Sequence, residues 1–369
     1  MNVELSEKTS RLTAMLGRTG FAGVFLTMQH NFAWLTAGGS NGVDLSRDNG
    51  ASTLFVTSDG RRFVLANTIE MPRLLAEELS AEDFEPLSFP WQAGGEVMAE
   101  KARDVCGSAA LLASDIWMPG DVTPIEHEVA PCRFQLTPDE ADRYRTLGHD
   151  AGTAMLRVIS QLEPGETELE IAEKLRHEFA LADMTSIVTL VAGDERISKF
   201  RHPVPTMNRW NRTLLLVACA KRGGLVASLS RMICVGSVPH ELAAKTEAAA
   251  YVNACLMEAT RPSTTSAQLY AIAAAAYAER GFGGEIDLHH QGGAAGYRSR
   301  EWVARPNGGE TVFPSQAFAW NPSITGTKVE ETCIVDEHNV EVITASPDFP
   351  AIESMVNGRL FTSPGIFSL

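Results

Sequence analysis

The feature that most constrains the fold is an internal repeat. Residues 167–170 (Thr-Glu-Leu-Glu) follow a Pro-Gly pair, and residues 265–268 (Thr-Ser-Ala-Gln) follow a proline three positions earlier. Both match a capping box, in which a threonine hydroxyl and a returning Glu or Gln side chain satisfy the free backbone N–H groups of a helix start. Each predicted helix is preceded by another helix and followed, after a loop, by strands. Two such halves predict a curved antiparallel sheet, with helices outside and a cleft between the halves.

The strands of the two halves are indicated by short apolar runs. In the first half, residues 213–220 and 225–235 are joined by Lys221-Arg222-Gly223-Gly224, which is typical of a hairpin turn. In the second half, strands are expected over 316–324 and 328–335, with 340–344 behind them. Thr137-Pro138 supplies a cap and a first-turn proline, so a long helix should begin there.

The first third of the chain has a different pattern. Runs rich in β-branched and aromatic residues predict strands at 21–27, 51–57 and 62–66, and helices are expected at 4–18 and 70–80. A chain of 369 residues exceeds the usual size of one core. We therefore expect an α/β domain over residues 1–135 and a second, α+β domain over residues 136–369.

The composition limits the partners. With a formal net charge of −15, the chain should be repelled by nucleic acid and by anionic membranes. No apolar run reaches the roughly 20 residues that span a bilayer, and the N-terminus lacks a basic segment followed by an apolar one. These features predict a cytoplasmic protein whose partner is a small-molecule substrate, with no nucleic-acid or membrane partner.

One glycine-rich stretch, residues 289–301 (HHQGGAAGYRSRE), concentrates reactive side chains. Histidine suits proton transfer near neutral pH, and the planar guanidinium of arginine suits a carboxylate. His290 and Arg300 are therefore candidate site residues, with Arg298 and Tyr297 beside them. His289 is expected to point to the opposite face of a strand and to be structural. The alternatives are a solvated arginine pair and a core role for Tyr297 and for Trp320. His290 could instead satisfy backbone groups of the glycine loop, and His202 could cap the turn at Pro203.

A resemblance to a known family adds to these patterns. Residues 137–345 resemble the catalytic domain of the pita-bread hydrolases, which include methionine aminopeptidase, the Xaa-Pro peptidases and creatinase. Residues 29–38 (QHNFAWLTAG) are similar to a signature of the N-terminal domain of Xaa-Pro peptidases and creatinase. The resemblance implies a pita-bread C-terminal domain with a pseudo-twofold curved antiparallel sheet. It also implies a homodimer, in which Arg47 or Trp34 of one subunit approaches the cleft of the other.

The metal ligands of that family are largely absent. Its metallopeptidases hold two ions through two aspartates, a histidine and two glutamates, and the resemblance puts Ala218, Ser228 and Asn321 at three of these positions. Only His290 and Glu330 remain as equivalents. Two protein ligands are too few for a zinc-type site. We therefore expect no metal ion and no other cofactor.

Creatinase is the member of the family that works without metal, and it guides the assignment of roles. The resemblance makes His202 a proton shuttle, helped by His290, while Glu330 and Glu331 hold a cationic nitrogen or orient a water. Arg300, with Arg298, anchors a substrate carboxylate. The remaining expected substrate contacts are Ser228, Tyr297, Trp320 and Asn321.

These roles predict a metal-independent hydrolase of a C–N bond (amide, amidine or ureido) in a small carboxylate-bearing substrate. One alternative is a divergent Xaa-Pro-type metallopeptidase with a rebuilt site. Another is a non-catalytic binding protein of the same fold. A related elimination or ring opening in the same cleft also stays open.

Overall fold

The computed structural model describes residues 3–369, and its contacts divide the chain between Arg133 and Phe134. Each unit is described by itself. Among the described residues, no helix is both long and apolar enough to cross a membrane.

The first unit is built on a six-stranded mixed sheet with the order β4-β3-β2-β1-β5-β6. The strands are β1 (Gly23–Met28), β2 (Asn49–Thr57), β3 (Arg62–Asn67), β4 (Glu85–Phe89), β5 (Leu112–Ser114) and β6 (Val122–Pro124). The helices are α1 (Val3–Thr19), α2 (Gln29–Leu35), α3 (Met71–Arg73), α4 (Val97–Cys106) and α5 (Glu126–Val129). The expected strands and the first helix are present. The second expected helix is a short α-turn followed by a wider π-type turn over Leu74–Glu78.

Trp34 corrects one expectation. It is completely buried in the first unit, and Lys8 lies over its ring, 5.7 Å from the centroid. A side chain enclosed in its own core cannot approach the cleft of another subunit, so that role for Trp34 was wrong. Arg47 is exposed and pairs with Asp44 at 3.1 Å. The homodimer stays a prediction.

The second unit contains the repeat. Its helices are α6 (Pro138–Ile159), α7 (Glu168–Leu181), α8 (Glu195–Lys199), α9 (His240–Ala259) and α10 (Ser266–Glu279). Complete capping boxes open α6, α7 and α10, with Thr137, Thr167 and Thr265 as the N-cap residues. The helix starts predicted from these signals are confirmed.

Two sheets form the halves of the second unit. The first has the order β19-β9-β8-β7 and the second the order β11-β10-β12-β15-β16. The strands of the first sheet are β7 (Thr185–Gly193), β8 (Thr213–Arg222), β9 (Leu225–Cys234) and β19 (Ile366–Ser368). Those of the second are β10 (Gly292–Ala295), β11 (Trp302–Val303), β12 (Gln316–Trp320), β15 (Glu331–Val335) and β16 (Val340–Val342). Two small ribbons are formed by β13 (Ser323–Ile324) with β14 (Thr327–Lys328) and by β17 (Ala351–Val356) with β18 (Arg359–Pro364).

The turn between β8 and β9 sets the register on which the site depends. Gly223 and Gly224 both have positive φ angles, 53° and 80°, as a two-residue type I′ turn requires. The resulting pairing places Cys219 opposite Ser228 and Val217 opposite Ser230. An isolated bridge between Ser230 and Glu330 then joins this hairpin to the second half.

Candidate functional site

One face of the β8–β9 hairpin forms the floor of the site. The Cys219 Sγ and Ser228 Oγ atoms lie 3.2 Å apart, and Ser230 follows on the same face because side chains alternate along a strand. Ala218 pairs with Leu229 and lies on the other face. The expectation that Ala218 occupies a family ligand position was therefore wrong, and Cys219 is the residue that meets Ser228.

Glu330 lies at the centre of a group of charged side chains, Glu330, Arg300 and Lys328, which we call the charge network. Ser230 Oγ donates to Glu330 Oε2 at 2.6 Å, Arg300 Nη2 donates to Oε1 at 3.0 Å, and Lys328 Nζ lies 3.4 Å from Oε2. Lys328 and Glu330 are both buried. Two cations therefore share one buried carboxylate, which leaves a net positive charge in the cleft.

These contacts keep Glu330 ionised. Burial alone raises the pKa of its carboxyl, but the Lys328 ammonium and then the Arg300 guanidinium outweigh burial and lower the pKa to about 2. A carboxylate of this kind is a weak proton acceptor. Glu330 therefore acts as a fixed charge that positions Arg300 and Lys328.

Three histidines meet beside this network. His202 lies in the loop after α8, and His289 and His290 lie in the segment before β10. The Nε2 atoms of His202 and His289 are 3.1 Å apart, and the rings of His289 and His290 stack with centroids 4.4 Å apart. His289 is not on a strand and does not point away, so the orientation expected for it was wrong, while its structural role stays a prediction.

The three imidazoles are neutral at physiological pH. The pKa of His202 is lowered by desolvation and then by the Lys328 charge, against an opposing effect of Glu330. Desolvation and Lys328 lower the pKa of His289 to about 3, and desolvation and Arg300 lower that of His290 to about 4. A neutral imidazole offers a lone pair, which can accept a proton or bind a metal ion.

Glu331 does not belong to this cleft. Its carboxylate pairs with Arg231 at 3.0 Å and accepts a hydrogen bond from Thr344 Oγ1. Glu330 and Glu331 are adjacent in an extended chain, so their side chains leave on opposite faces. The catalytic role expected for Glu331 was wrong for this reason.

Two aromatic candidates are core residues. Trp320 is fully buried, stacks on Phe318 with centroids 5.5 Å apart, and donates from Nε1 to Thr260 at 3.1 Å. Tyr297 is buried and donates from its hydroxyl to Glu140 at 2.8 Å. Neither side chain is available to a substrate, and the core alternative weighed for both residues is the correct one.

The remaining candidates differ in position. Ser228 is buried and lies 3.3 Å from Arg300 Nη1. Arg300 Nε and Asn321 Oδ1 are buried polar atoms with no hydrogen-bond partner in the described chain. Arg298 is exposed and takes no part in the contacts around Glu330. Arg300 and Asn321 thus keep unused polar atoms near the network, whereas Arg298 is set apart from it.

Sequence reasoning missed Cys219, Ser230 and Lys328. Ser230 and Lys328 each lie two positions from a predicted site residue, Ser228 and Glu330 respectively. The alternation of side chains in extended chain was the signal that could have found them. The glycine pair 292–293 has a packing role, because a Cβ on Gly293 would lie 2.1 Å from the carbonyl oxygen of Trp302.

Comparison with known proteins decides the family. The model of a family described as metallopeptidase family M24 matches residues 142–343, which is more than half of the chain. The chain belongs to metallopeptidase family M24. The pita-bread architecture expected from the sequence is thereby confirmed.

Several of the similar proteins are named as dipeptidases. A Xaa-Pro dipeptidase of Pyrococcus furiosus is 24% identical over 60% of this chain and 66% of its own length, so the chain spans just under two thirds of that relative. Among solved structures, a Xaa-Pro dipeptidase from Bacillus anthracis has a TM-score of 0.78 at 16% identity and covers 99% of this chain and 100% of its own. Dipeptidase PepE from Mycobacterium ulcerans gives 0.78 at 17%, covering 93% and 96%. These relatives give no support to a creatinase-like character.

The donors on the hairpin face and in the segments that flank β12 and β15 do not fit the dinuclear metal centre of the M24 family. Ser228 and Asn321 are neutral, and desolvation, followed by the charge of Glu330, raises the pKa of the Cys219 thiol. The one carboxylate, Glu330, already carries two side-chain cations. A divalent ion at this point would face Arg300 and Lys328 without the anionic ligands that hard and borderline ions need.

Proposed function

We propose that this M24 chain hydrolyses the C–N bond of a neutral amide in a small, carboxylate-bearing substrate, without a metal ion on the hairpin face. A dipeptide of the Xaa-Pro class is the first candidate, because this substrate class appears in the names of its relatives. The observation that carries the proposal is the pairing of one buried carboxylate with two cations beside three neutral imidazoles.

The excess positive charge binds two anionic groups, the substrate carboxylate and the oxyanion that forms during the reaction. Arg300 anchors the substrate carboxylate, and its buried, unpartnered Nε–H is a donor that this carboxylate can satisfy. Lys328 has three N–H donors and one contact with Glu330 at 3.4 Å. It is therefore able to stabilise the oxyanion that forms when water attacks the amide carbon.

His202 is the proton-transfer group. Its neutral imidazole removes a proton from water as the water oxygen attacks the carbonyl carbon. The same proton then passes to the leaving nitrogen, the C–N bond breaks, and a carboxylic acid and an amine are released. His289 contacts His202 through nitrogen atoms 3.1 Å apart and holds the ring in position.

The charge network argues against a cationic amidine or guanidino substrate. The sequence led us to expect Glu330 and Glu331 as partners of a cationic nitrogen. Glu330 is already paired with Arg300 and Lys328, and Glu331 is paired with Arg231 on the other face. A cationic amidine or guanidinium at the reacting carbon would meet net positive charge, so neutral amide and ureido groups fit better there, and the α-ammonium of a dipeptide must bind away from Arg300 and Lys328.

A matched substrate panel tests the proposal. Xaa-Pro dipeptides, other dipeptides, their C-terminal amides, ureido acids and creatine are each incubated with chelator-treated protein, and the products are quantified by liquid chromatography. We expect cleavage of at least one free-acid dipeptide, weaker cleavage of its amide, and none of creatine. Cleavage that appears only after a divalent ion is added would support the rebuilt-metallopeptidase alternative. A lack of turnover across the panel would favour a binding protein.

A further inference from the structure

The three-histidine cluster has a geometry that proton transfer alone does not require. Proton exchange with a substrate needs one exposed imidazole, whereas here one nitrogen atom from each of His202, His289 and His290 lies within 4.8 Å of the others. We propose that these histidines bind a single zinc-class divalent ion through a three-histidine ligand set that differs from the family's dinuclear centre and shares with it only the expected ligand His290, and that the bound ion blocks proton transfer by His202. The block of proton transfer rests on the proposed function, whereas the binding of the ion does not.

The distances suit a tetrahedral ion. Zinc binds histidine nitrogen at about 2.0–2.1 Å, which separates two ligands of a tetrahedron by about 3.3 Å. The Nε2 atoms of His202 and His289 are 3.1 Å apart, so an ion can bridge them with little movement. His290 stacks on His289, and one of its nitrogen atoms lies within 4.8 Å of the other two ligand atoms, so rotation about its side-chain bonds would supply the third ligand.

The hydrogen bonding leaves these nitrogens available. His289 Nδ1 is buried and has no hydrogen-bond partner in the described part of the chain. The contact of His290 Nδ1 is with the backbone N–H of Gly292, at a long 3.3 Å. The ring of His290 is therefore held by no strong contact, and the contact between the Nε2 atoms of His202 and His289 is the one that a bridging ion would replace.

The surroundings define the class of ion and limit its affinity. Three imidazoles without a carboxylate favour zinc, cobalt, nickel or copper over magnesium or calcium, which prefer oxygen ligands. Lys328 and Arg300 bring two positive charges near the cluster against the one negative charge of Glu330. Their repulsion should make binding reversible and weaker than at a structural zinc site.

The proposed site and the proposed reaction compete for the same lone pair. His202 can accept a proton from water only while its nitrogen is free, and an ion held by that nitrogen removes the acceptor. Added zinc should therefore inhibit this chain, whereas a divalent ion activates an ordinary metallopeptidase.

Binding can be measured without any substrate. Chelator-treated protein is titrated with Zn²⁺ by calorimetry, and with Co²⁺ by visible absorption, which is intense for tetrahedral coordination. His289→Ala and His290→Ala are compared with His177→Ala, which removes an exposed histidine on α7, and metal-free unfolding curves check that each variant folds. We expect one ion per chain, at least tenfold weaker binding in the first two variants, and no change in the third.

The outcomes separate the ion site from the proposed reaction. Absence of saturable binding, or equal binding by all three variants, would overturn the ion site. Inhibition by Zn²⁺ that a chelator reverses would support the competition, whereas activation by Zn²⁺ would overturn both the competition and the metal-free reaction. One-to-one binding by a chain that cleaves no amide would leave the ion site standing and overturn the proposed function.

Discussion

Glu330 and Glu331 are neighbours in sequence and have opposite electrostatic environments. Glu330 faces the cleft, carries Arg300 and Lys328, and has its pKa lowered to about 2. Glu331 faces away and is paired with Arg231, and burial raises its pKa despite that partner. A step of one residue along the strand therefore separates two environments. On one face lies the charge network, with an excess of positive charge, and on the other lies an ion pair of one acid and one base. The comparison shows that counting carboxylates in a sequence does not locate a site, because the face on which each lies decides its partners.

The largest effect on turnover is expected from a change at His202, which lies beside the charge network around Glu330. Replacing it with asparagine removes the proton acceptor, so kcat should fall by about 10² to 10⁴-fold while KM changes little. Steady-state kinetics on the cleaved dipeptide measures both. Unchanged kcat in His202→Asn would place the proton transfer elsewhere, with His290 as the next candidate.

Arg300 and Arg231 should respond differently to truncation. Arg300→Ala removes a charge-assisted contact to the substrate carboxylate, worth about 2–4 kcal/mol, so KM should rise by about 30- to 1000-fold. Arg231→Ala leaves Glu331 buried and unpaired, which should lower the unfolding midpoint without changing KM per folded molecule. A rise in KM in both variants would mean that Arg231 also affects substrate binding, so that the two faces of the strand do not act independently.

Lys328, which is assigned to the oxyanion, has a smaller expected effect than Arg300. Lys328→Met preserves the length and bulk of the side chain and removes its charge. We expect kcat to fall by about 10- to 100-fold with KM within a small factor. An equal rise in KM and no fall in kcat would assign Lys328 to substrate anchoring instead.

The smallest effect concerns stability and pH. A carboxyl whose folded pKa is depressed contributes stability above its unfolded pKa of 4.5 and loses it as pH falls toward its folded value of about 2. Between pH 6 and 3.5, Glu330 should account for a loss of about 1 kcal/mol. Glu331 has a raised pKa, so its contribution should change in the opposite direction, decreasing as pH rises above 4.5. Urea unfolding of Glu330→Gln and Glu331→Gln across this range measures both slopes, and equal slopes would contradict the assignment.

Local signals explain what the sequence could predict. Each of the capping boxes at Thr137, Thr167 and Thr265 spans a single helical turn, and the Gly223–Gly224 turn depends only on its own backbone. Both signals are local, so both features could be predicted from the sequence. The faces of Glu330 and Glu331 depend on the irregular chain between β12 and β15. Two short strands interrupt that segment, so simple alternation from Trp320 cannot be carried through it.

The contacts of the site are harder to predict because they join distant segments. Lys328 and Arg300 meet at Glu330 only after the hairpin and the second sheet are bridged through Ser230. His202 and His289 are 87 residues apart in sequence, and both lie in loops. Periodicity carries no information about loops of this kind, so the histidine cluster becomes visible only in the folded chain.

The most direct test of the account is the turnover of a cleaved dipeptide after exhaustive chelation, with the bound metal quantified in the same sample. The side-chain cations Arg300 and Lys328 contact Glu330, the residue that the family resemblance puts at a metal-ligand position. If the reaction needs no metal, kcat/KM should stay within about twofold of the untreated value, or rise, when no metal is bound. Activity that is lost on chelation and restored by a divalent ion would contradict it.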